Sequence, residues 1–224
     1  MLVPSAMGVM EMLLEQFRPC FTRPQLRNFS TYILGLIACE GRRNVENMNR
    51  CFVDHRDQST LNRFLTSSPW SLQLLETRRL ALAREGLPIA EGSTGLPLID
   101  DTINEKTGRR MEEAGYHYDS VEGKPVWGHD IVTTHYVNGE AEYPVRLALY
   151  VKRETCREEG RPFKTKIQLA REQIEAFTPP PGAETVVAFD SWYFCRHVVE
   201  AVEAKGWDWV TKAESNRIVH VRGR

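Results

Sequence analysis

The hydrophobic pattern of this sequence changes once, within the glycine- and proline-rich segment Gly86–Gly95. Before this segment, apolar residues recur at the spacing of amphipathic helices. After it come β-branched and aromatic runs, and Asn138-Gly139 is the dipeptide most typical of a tight β-hairpin. A chain with this order of patterns needs a helical part followed by a part that contains a sheet.

Residues 1–90 are predicted to form a small helical region, for which DNA binding is one interpretation. Its strongest element is Pro24–Arg42, where apolar residues follow helical spacing and Gly41 favours an end. Ser59 is a candidate N-cap for a later helix. The predicted helices are Pro24–Arg42, Asn44–Phe52, Ser59–Leu65 and Trp70–Arg84.

Residues 91–224 predict an α/β core. Their order, β-β-β-α-β-α-β, places two hairpin connections before two helical crossovers, which is the ordering of a ribonuclease-H-like mixed sheet. We expect this core to be incomplete, because no closing element follows the last strand. The predicted strands are Leu96–Asp100, Gly128–Val137, Tyr143–Val151, Thr185–Phe189 and Asp208–Lys212, and the helices are Lys164–Phe177 and Phe194–Lys205.

Strand Tyr143–Val151 has a regular alternation of side chains. Because successive residues of a strand point to opposite faces, this alternation predicts one apolar face and one mixed face. The apolar face is predicted to carry Val145, Leu147, Leu149 and Val151, and the other face Arg146, Ala148 and Tyr150.

Two of the predicted strands end in aspartate. Asp100, with Asp101 next to it, closes one strand, and Asp190 follows the strand Thr185–Phe189. Ligands collect beyond strand ends in open α/β sheets, so Asp100 and Asp190 would share a cleft if their strands are neighbours. Carboxylates suit Mg²⁺ or Mn²⁺, and two such ions support in-line attack on a phosphodiester. An aspartate after a strand is also a common turn former or N-cap, so both interpretations stay open.

The composition argues against several classes of protein. A net charge of −1 over 224 residues gives no overall electrostatic argument for nucleic-acid binding. The five scattered cysteines contain no C-x-x-C pair, which disfavours a zinc ribbon or a disulfide framework and suits a reducing cytoplasm. The longest apolar stretch, Tyr32–Cys39, is far shorter than the roughly 20 residues of a membrane span. No basic segment precedes an apolar core at the N-terminus, so we predict neither a secretory signal nor a membrane partner.

Two blocks of the sequence resemble the DDE transposases of bacterial insertion sequences. The first block contains Ile99-Asp100-Asp101-Thr102, with Lys106 and Gly108 downstream, and is similar to the first catalytic motif of one group of these enzymes. In the second block a strand ends at Asp190 and Tyr193 follows. With the upstream helical segment included, the resemblance covers most of the chain.

This resemblance implies a DNA transposase with a ribonuclease-H-like catalytic domain. Such an endonuclease cuts double-stranded DNA at transposon ends and joins the freed 3′-OH to target DNA, using two Mg²⁺ or Mn²⁺ ions in a complete site. Asp100 and Asp190 match the first two metal-binding catalytic acids. Asp101 rivals Asp100, since both precede Thr102 and only one of two adjacent strand residues can face the metals. The strand-end position favours Asp100.

The family further implies a homodimer that brings two DNA ends together, acting at the nucleoid in a bacterial cytoplasm. Its third acidic ligand, a glutamate on a helix after the last strand, has no match here, since Glu200 and Glu203 come too early and Glu214 lacks the surrounding pattern. We therefore expect the N-terminal part of a longer transposase, and whether this chain is an enzyme by itself stays open. The alternatives are a catalytically inactive DNA-binding remnant and another metal-dependent nuclease on the same fold.

Two groups of basic residues are candidate DNA contacts. Lys106, Arg109 and Arg110 follow the first acids and could bind a phosphate, or could simply occupy an exposed loop. Lys212 and Arg217 follow the last predicted strand and could also reach DNA, or could belong to a polar chain end.

Overall fold

A computed structural model describes residues 8–53, 57–87, 89–108, 110–139 and 141–215. The chain divides into two compact units, Met1–Ala83 and Arg84–Arg224. Over the described residues, the first unit is helical and the second contains the sheet. None of the helices within those ranges is long and apolar enough to cross a membrane.

The helices of the first unit are α1 Gly8–Glu15, α2 Arg23–Ala38, α3 Val45–Arg50, α4 Gln58–Thr66 and α5 Leu72–Gly86, the last continuing past the unit boundary. Asn44 caps α3 by accepting a hydrogen bond from the backbone. The predicted N-cap of α4, Ser59, is wrong: the helix starts at Gln58, and Asp57 accepts the Ser59 N–H at 2.8 Å. Phe64 stacks on Trp70 in the aromatic core of this unit.

The second unit is built on a six-stranded mixed sheet. Its strands are β1 Thr94–Glu105, β2 Gly115–Asp119, β3 Lys124–Asn138, β4 Ala141–Tyr150, β5 Glu184–Phe189 and β6 Asp208–Thr211. Its remaining helices are α6 Arg153–Glu158, α7 Lys166–Ala176 and α8 Arg196–Glu203, with a single 3-10 turn at Ser191–Tyr193.

Strand β1 is central in this sheet. It pairs antiparallel with β3 on one side and parallel with β5 on the other, and β6 continues the sheet parallel to β5. The far edge of β3 pairs antiparallel with both β2 and β4. Because β2 and β4 pair with different parts of the same edge of β3, the sheet has three antiparallel positions followed by two parallel strands after helical crossovers. This is the arrangement expected of a ribonuclease-H-like sheet. The predicted α/β fold class is therefore confirmed.

The secondary structure predicted for this unit needs correction in three places, two strands and one helix. The first strand does not end at Asp100 but continues to Glu105, because β3 pairs with it along this whole stretch. Strand β2 was not predicted, since Gly115–Asp119 is too short to show a pattern and forms by pairing with the start of β3. Helix α6 was also missed, having only six residues.

The alternation predicted for Tyr143–Val151 is wrong over part of this strand. The β3–β4 register shifts between Thr134 and His135, and such a bulge adds a residue that reverses the faces beyond it. As a result Leu147 is 63% exposed, whereas Tyr150 packs against the core. A bulge depends on pairing between strands, so the periodicity of one strand cannot reveal it.

Helices α7 and α8 pack against each other and against the sheet. Ile99 of β1 and Phe189 of β5 are register partners on the buried side of the sheet. This apolar layer holds β1 and β5 side by side. Asp100 directly follows Ile99, and Asp190 directly follows Phe189. The buried residues of the layer are Ile99, Val132, Leu169, Ala170, Ile174, Val187, Phe189, Tyr193, Val198, Ala201 and Val202.

Gly128 lets β3 approach β1 closely. A Cβ atom at this position would overlap the backbone carbonyl of Asn104 and lie 3.0 Å from the Cα of Glu105. We expect Gly128→Ala to lower the free energy of unfolding by about 1–3 kcal/mol, because the two strands must separate to admit the methyl group. Denaturant unfolding measures this, with Gly86→Ala as control, where a Cβ would meet nothing within 4 Å. Equal stability of the two variants would contradict the expected clash.

Candidate active site

Strand register brings Asp100 and Asp190 together. Ile99 of β1 lies opposite Phe189 of the parallel strand β5, so the residue after each partner occupies the same level of the sheet. Both aspartates are solvent-exposed. The two acids that were expected to share a cleft thus follow paired residues on neighbouring strands.

Asp190 is held by the turn that follows β5. Its Oδ1 accepts the backbone N–H of Trp192 at 3.0 Å and that of Tyr193 at 3.2 Å, which caps the 3-10 turn. The turn-forming role considered for this aspartate is therefore real. It does not exclude a second role, since a carboxylate has lone pairs beyond those that two N–H groups occupy.

Asp100 lies among charges of its own sign. Partial burial raises its pKa above the usual value, and the negative charges of Asp101 and Asp190 act in the same direction. The Asp101 N–H, which donates to Asp100 Oδ1 at 2.8 Å, and the Lys166 ammonium oppose this shift without cancelling it. The surroundings of Asp100 therefore disfavour its charged form, and a cation bound beside it would offset this effect.

The raised pKa of Asp100 predicts that its charge destabilises the fold. The folded chain holds this proton more tightly than the unfolded chain, so stability falls as pH rises through the folded pKa and stays lower above it. We expect Asp100→Asn to raise the melting temperature at pH 7 and to lose this advantage below about pH 4, where the unfolded acid also becomes protonated. Thermal unfolding against pH measures the effect, with exposed Asp208→Asn as control. A lower melting temperature for Asp100→Asn at pH 7 would refute it.

Asp101 is engaged elsewhere, because adjacent strand residues point to opposite faces. Its Oδ2 lies 2.6 Å from the Lys166 ammonium, and its Oδ1 accepts the Tyr193 hydroxyl at 2.8 Å. Burial and the charge of Asp101 together raise the pKa of Tyr193, so this hydroxyl stays a donor. Both oxygens of Asp101 are thus occupied by donors on α7 and on the turn after β5.

Behind Asp101 lies a buried acid that sequence reasoning did not single out. Asp130 of β3 is 1% exposed, with its Oδ2 2.6 Å from the Lys166 ammonium and 3.4 Å from Nδ1 of His117. Burial alone would raise the pKa of Asp130, but hydrogen bonds from His117 and Lys166 outweigh it and leave the pKa below its usual value. A signal was available: alternation along β3 places Asp130 on the same face as Val132, and a charge on an apolar face needs a partner.

The two exposed acids supply only part of a metal site. Within the ranges that the structure describes, no three His, Cys, Asp or Glu side chains form a group that could hold a metal ion. Glu200 pairs with Arg196 at 2.6 Å on α8, and Glu203 lies on the same helix, before β6. The chemistry of Asp100 and Asp190 nevertheless fits a hard divalent cation, since both offer carboxylate oxygens.

Among the predicted DNA contacts that the structure describes, Lys212 lies at the level of the acids on the sheet. It follows Thr211 of β6, which is the register partner of Phe189, so Lys212 and Asp190 stand at the same level on adjacent strands. Lys212 is exposed. A phosphate held near Asp190 would therefore have a cation beside it.

The other predicted contacts are more distant or lie outside the description. Lys106 follows β1 and is six residues beyond Asp100, a distance of roughly 20 Å along an extended strand. Arg110 is exposed in the loop before β2. Arg109 and Arg217 lie outside the described residues. The register of the sheet thus does not bring Lys106 to the acid pair.

The two aromatic residues after Asp190 differ in their environments. Trp192 is 54% exposed, whereas the neighbouring Tyr193 is fully buried and packs in the core. Their rings meet edge to face with centroids 4.9 Å apart. Trp192 therefore presents an aromatic surface to solvent, two residues after Asp190.

Comparison with known proteins gives matches over most of the chain. A family model described as DDE superfamily endonuclease matches residues 16–224. The probable transposase for insertion sequence element IS701 of Microchaete diplosiphon is 25% identical over 206 residues, which are 90% of this chain and 53% of that protein. The chain therefore spans about half the length of this relative. A cryo-EM structure of the piggyBac transposase synaptic complex with hairpin DNA aligns with a TM-score of 0.46 and 12% identity, covering 88% of this chain and 43% of that one.

The family match includes both blocks that carry the acids, at 99–108 and at 184–193. It also includes every strand of the sheet. The resemblance of the sequence to DDE transposases of insertion sequences is thereby confirmed. The chain belongs to the DDE superfamily of endonucleases.

Proposed function

We propose that this chain carries the first two metal-binding acids of a DNA transposase, Asp100 and Asp190. The complete enzyme would cleave double-stranded DNA at transposon ends and transfer the freed strand to target DNA. Asp101 would support Asp100 rather than bind the metal. This proposal extends family membership to a substrate and to individual residues.

The register of β1 and β5 is the observation that carries the proposal. It sets Asp100 and Asp190 at one level on adjacent parallel strands, exposed to solvent and close enough for one charge to raise the pKa of the other. A carboxylate pair in this position is costly for the fold unless a cation neutralises it. Binding of Mg²⁺ or Mn²⁺ would remove that cost.

The residues around the acids have distinct roles in this proposal. Asp100 and Asp190 would hold the metal, which when bound supplies Lewis-acid polarisation of a phosphodiester. Lys212 would contact a backbone phosphate, and exposed Trp192 would stack on a base, a contact worth about 1–3 kcal/mol where it occurs. Because the net charge is −1, DNA affinity would come from such local contacts and would fall steeply with salt.

Cleavage also needs a third carboxylate, which the described residues do not place beside the pair. The match covers only 53% of the relative with 25% identity, so the activity of the whole relative is not carried over to these 224 residues. We further propose that two copies act together on paired DNA ends, at the nucleoid of a bacterial cell, as a transposase of this family requires.

The test is a Mn²⁺ titration of the full chain, followed by salt-dependent binding and nicking of a labelled duplex that carries the flanking inverted repeats. We expect Mn²⁺ binding that Asp100→Asn and Asp190→Asn each abolish. Mn²⁺ binding that survives both variants would overturn the proposal. Duplex binding without any metal binding would instead favour an inactive DNA-binding remnant, and cleavage without strand joining would favour another nuclease.

A further inference from the structure

Helix α4 of the first unit has one face that is polar along its whole length. Its other face is fixed by Leu61 and Phe64, which are each 2% exposed and pack in the core of the unit. At 100° per residue, the exposed side chains all lie within an arc of about 140° on the opposite side. These side chains are Gln58, Ser59, Asn62, Arg63 and Thr66. The helix therefore presents a continuous stripe of hydrogen-bonding groups to solvent.

This stripe contains no carboxylate, which distinguishes α4 from most helices of the unit. Helices α1, α3 and α5 each carry glutamate, and α2 exposes two arginines but no side-chain amide. Arg63 is the one charged residue of α4. The unit as a whole, Met1–Ala83, contains ten arginines, no lysine and seven acids, although the net charge of the chain is −1. The unit that holds α4 is therefore net positive, which favours a polyanionic partner.

The residue types of the stripe suit the edges of DNA bases. In the major groove, asparagine or glutamine can bind N6 and N7 of one adenine together, and arginine can bind O6 and N7 of guanine. This groove is about 12 Å wide and admits an α-helix. Within the described ranges, no hydrogen-bond partner is placed on the side-chain amide of Gln58 or Asn62. Asp57 caps the start of α4, so the helix is formed before a ligand arrives and little ordering would oppose binding.

We infer that α4 reads base edges in the major groove of double-stranded DNA, with Gln58 and Asn62 as its base-contacting side chains. Residues four apart are neighbours on a helix surface, so the two amides would meet neighbouring base pairs. Arg63, which follows Asn62, supplies the positive charge of the stripe. This inference rests on the proposed function, since it takes double-stranded DNA as the partner. It assigns the choice of DNA sequence to the first unit, apart from the acids that would hold the metal.

The experiment measures binding of the full chain to two labelled duplexes of equal length by fluorescence anisotropy. One duplex carries the flanking inverted repeat, and the other has the same bases in shuffled order. The wild type should prefer the inverted repeat, and Gln58→Ala and Asn62→Ala should each reduce this preference by roughly 5- to 150-fold, the range for one lost bidentate base contact. Affinity for the shuffled duplex and its salt dependence should stay unchanged, because neither substitution removes a charge.

Gln73→Ala, which removes an exposed amide from α5, is the matched control and should leave the preference unchanged. Alanine favours a helix more than glutamine or asparagine does, so the variants should keep α4 folded. Three results overturn the inference: wild-type preference in both Gln58→Ala and Asn62→Ala, equal loss of affinity for the two duplexes, or a wild-type chain that does not prefer the inverted repeat. The proposed function fails separately, if neither Asp100→Asn nor Asp190→Asn weakens Mn²⁺ binding.

Discussion

Asp190→Asn is expected to abolish measurable Mn²⁺ binding while leaving the fold intact. The Asp190 carboxylate both faces Asp100 across adjacent strands and caps the 3-10 turn through Oδ1. Asparagine retains an oxygen for the two N–H donors but loses the charge, so this variant separates capping from metal binding. We expect at least a roughly 10- to 100-fold loss of Mn²⁺ affinity, since changes to mere partners of ligands already reach that range.

Asp190→Ala provides the comparison for this experiment. It removes the cap as well as the charge and should additionally lower the free energy of unfolding by about 1 kcal/mol, the usual value of a lost cap. The Asn variant should unfold close to the wild type, whereas both variants should fail to bind Mn²⁺. Wild-type Mn²⁺ affinity in Asp190→Asn, combined with loss in Asp190→Ala, would show that Asp190 serves only as a cap.

Lys166→Met is expected to lower the free energy of unfolding strongly, because Lys166 forms ion pairs with both Asp101 and Asp130. It leaves Asp130, which is 1% exposed, without its ammonium partner. Removing one partner of a buried ion pair costs about 3–5 kcal/mol, because the remaining charge stays buried, here with only the His117 contact at 3.4 Å among the described residues to offset it. Chemical denaturation at pH 7 measures this loss, and Lys164→Met, which breaks only a surface pair, should change stability by less than about 1 kcal/mol.

A double-mutant cycle separates the pair from simple loss of packing. Adding Asp130→Asn to Lys166→Met removes the stranded charge, so the double variant should be more stable than Lys166→Met alone. If the two losses simply add, the ion pair does not contribute in the manner described.

The choice of pH 7 follows from the two pKa shifts. The lowered pKa of Asp130 stabilises the fold above the usual carboxyl pKa, and this contribution is lost as pH falls through the folded value. The raised pKa of Lys166 stabilises the fold below the usual lysine pKa, and this contribution is lost as pH rises through the folded value. Both contributions are fully present at pH 7, where the cycle is measured.

The candidate acids could be found from sequence because each follows an apolar run that indicates a strand. The reason given for preferring Asp100 over Asp101 was wrong, since β1 does not end there. The two acids differ in the face of the sheet that each occupies and in the residues that each contacts there. Because Lys166 is 65 residues away from Asp101 in the chain, no local sequence pattern indicates their contact.

Local periodicity and turn chemistry are properties of neighbouring residues. The amino-acid order alone was therefore enough to indicate the hairpin at Asn138-Gly139, most of the strands and the change from helices to a sheet. That order in turn restricts the topology, because connections between strands are short and right-handed. Register, bulges and buried charge pairs arise between segments that are distant in the chain, and their energies exist only once those segments have met. Only the folded structure therefore decides three features of this protein. It places Asp100 and Asp190 at one level of the sheet, it turns Leu147 to the exposed face, and it pairs Asp101 with Lys166.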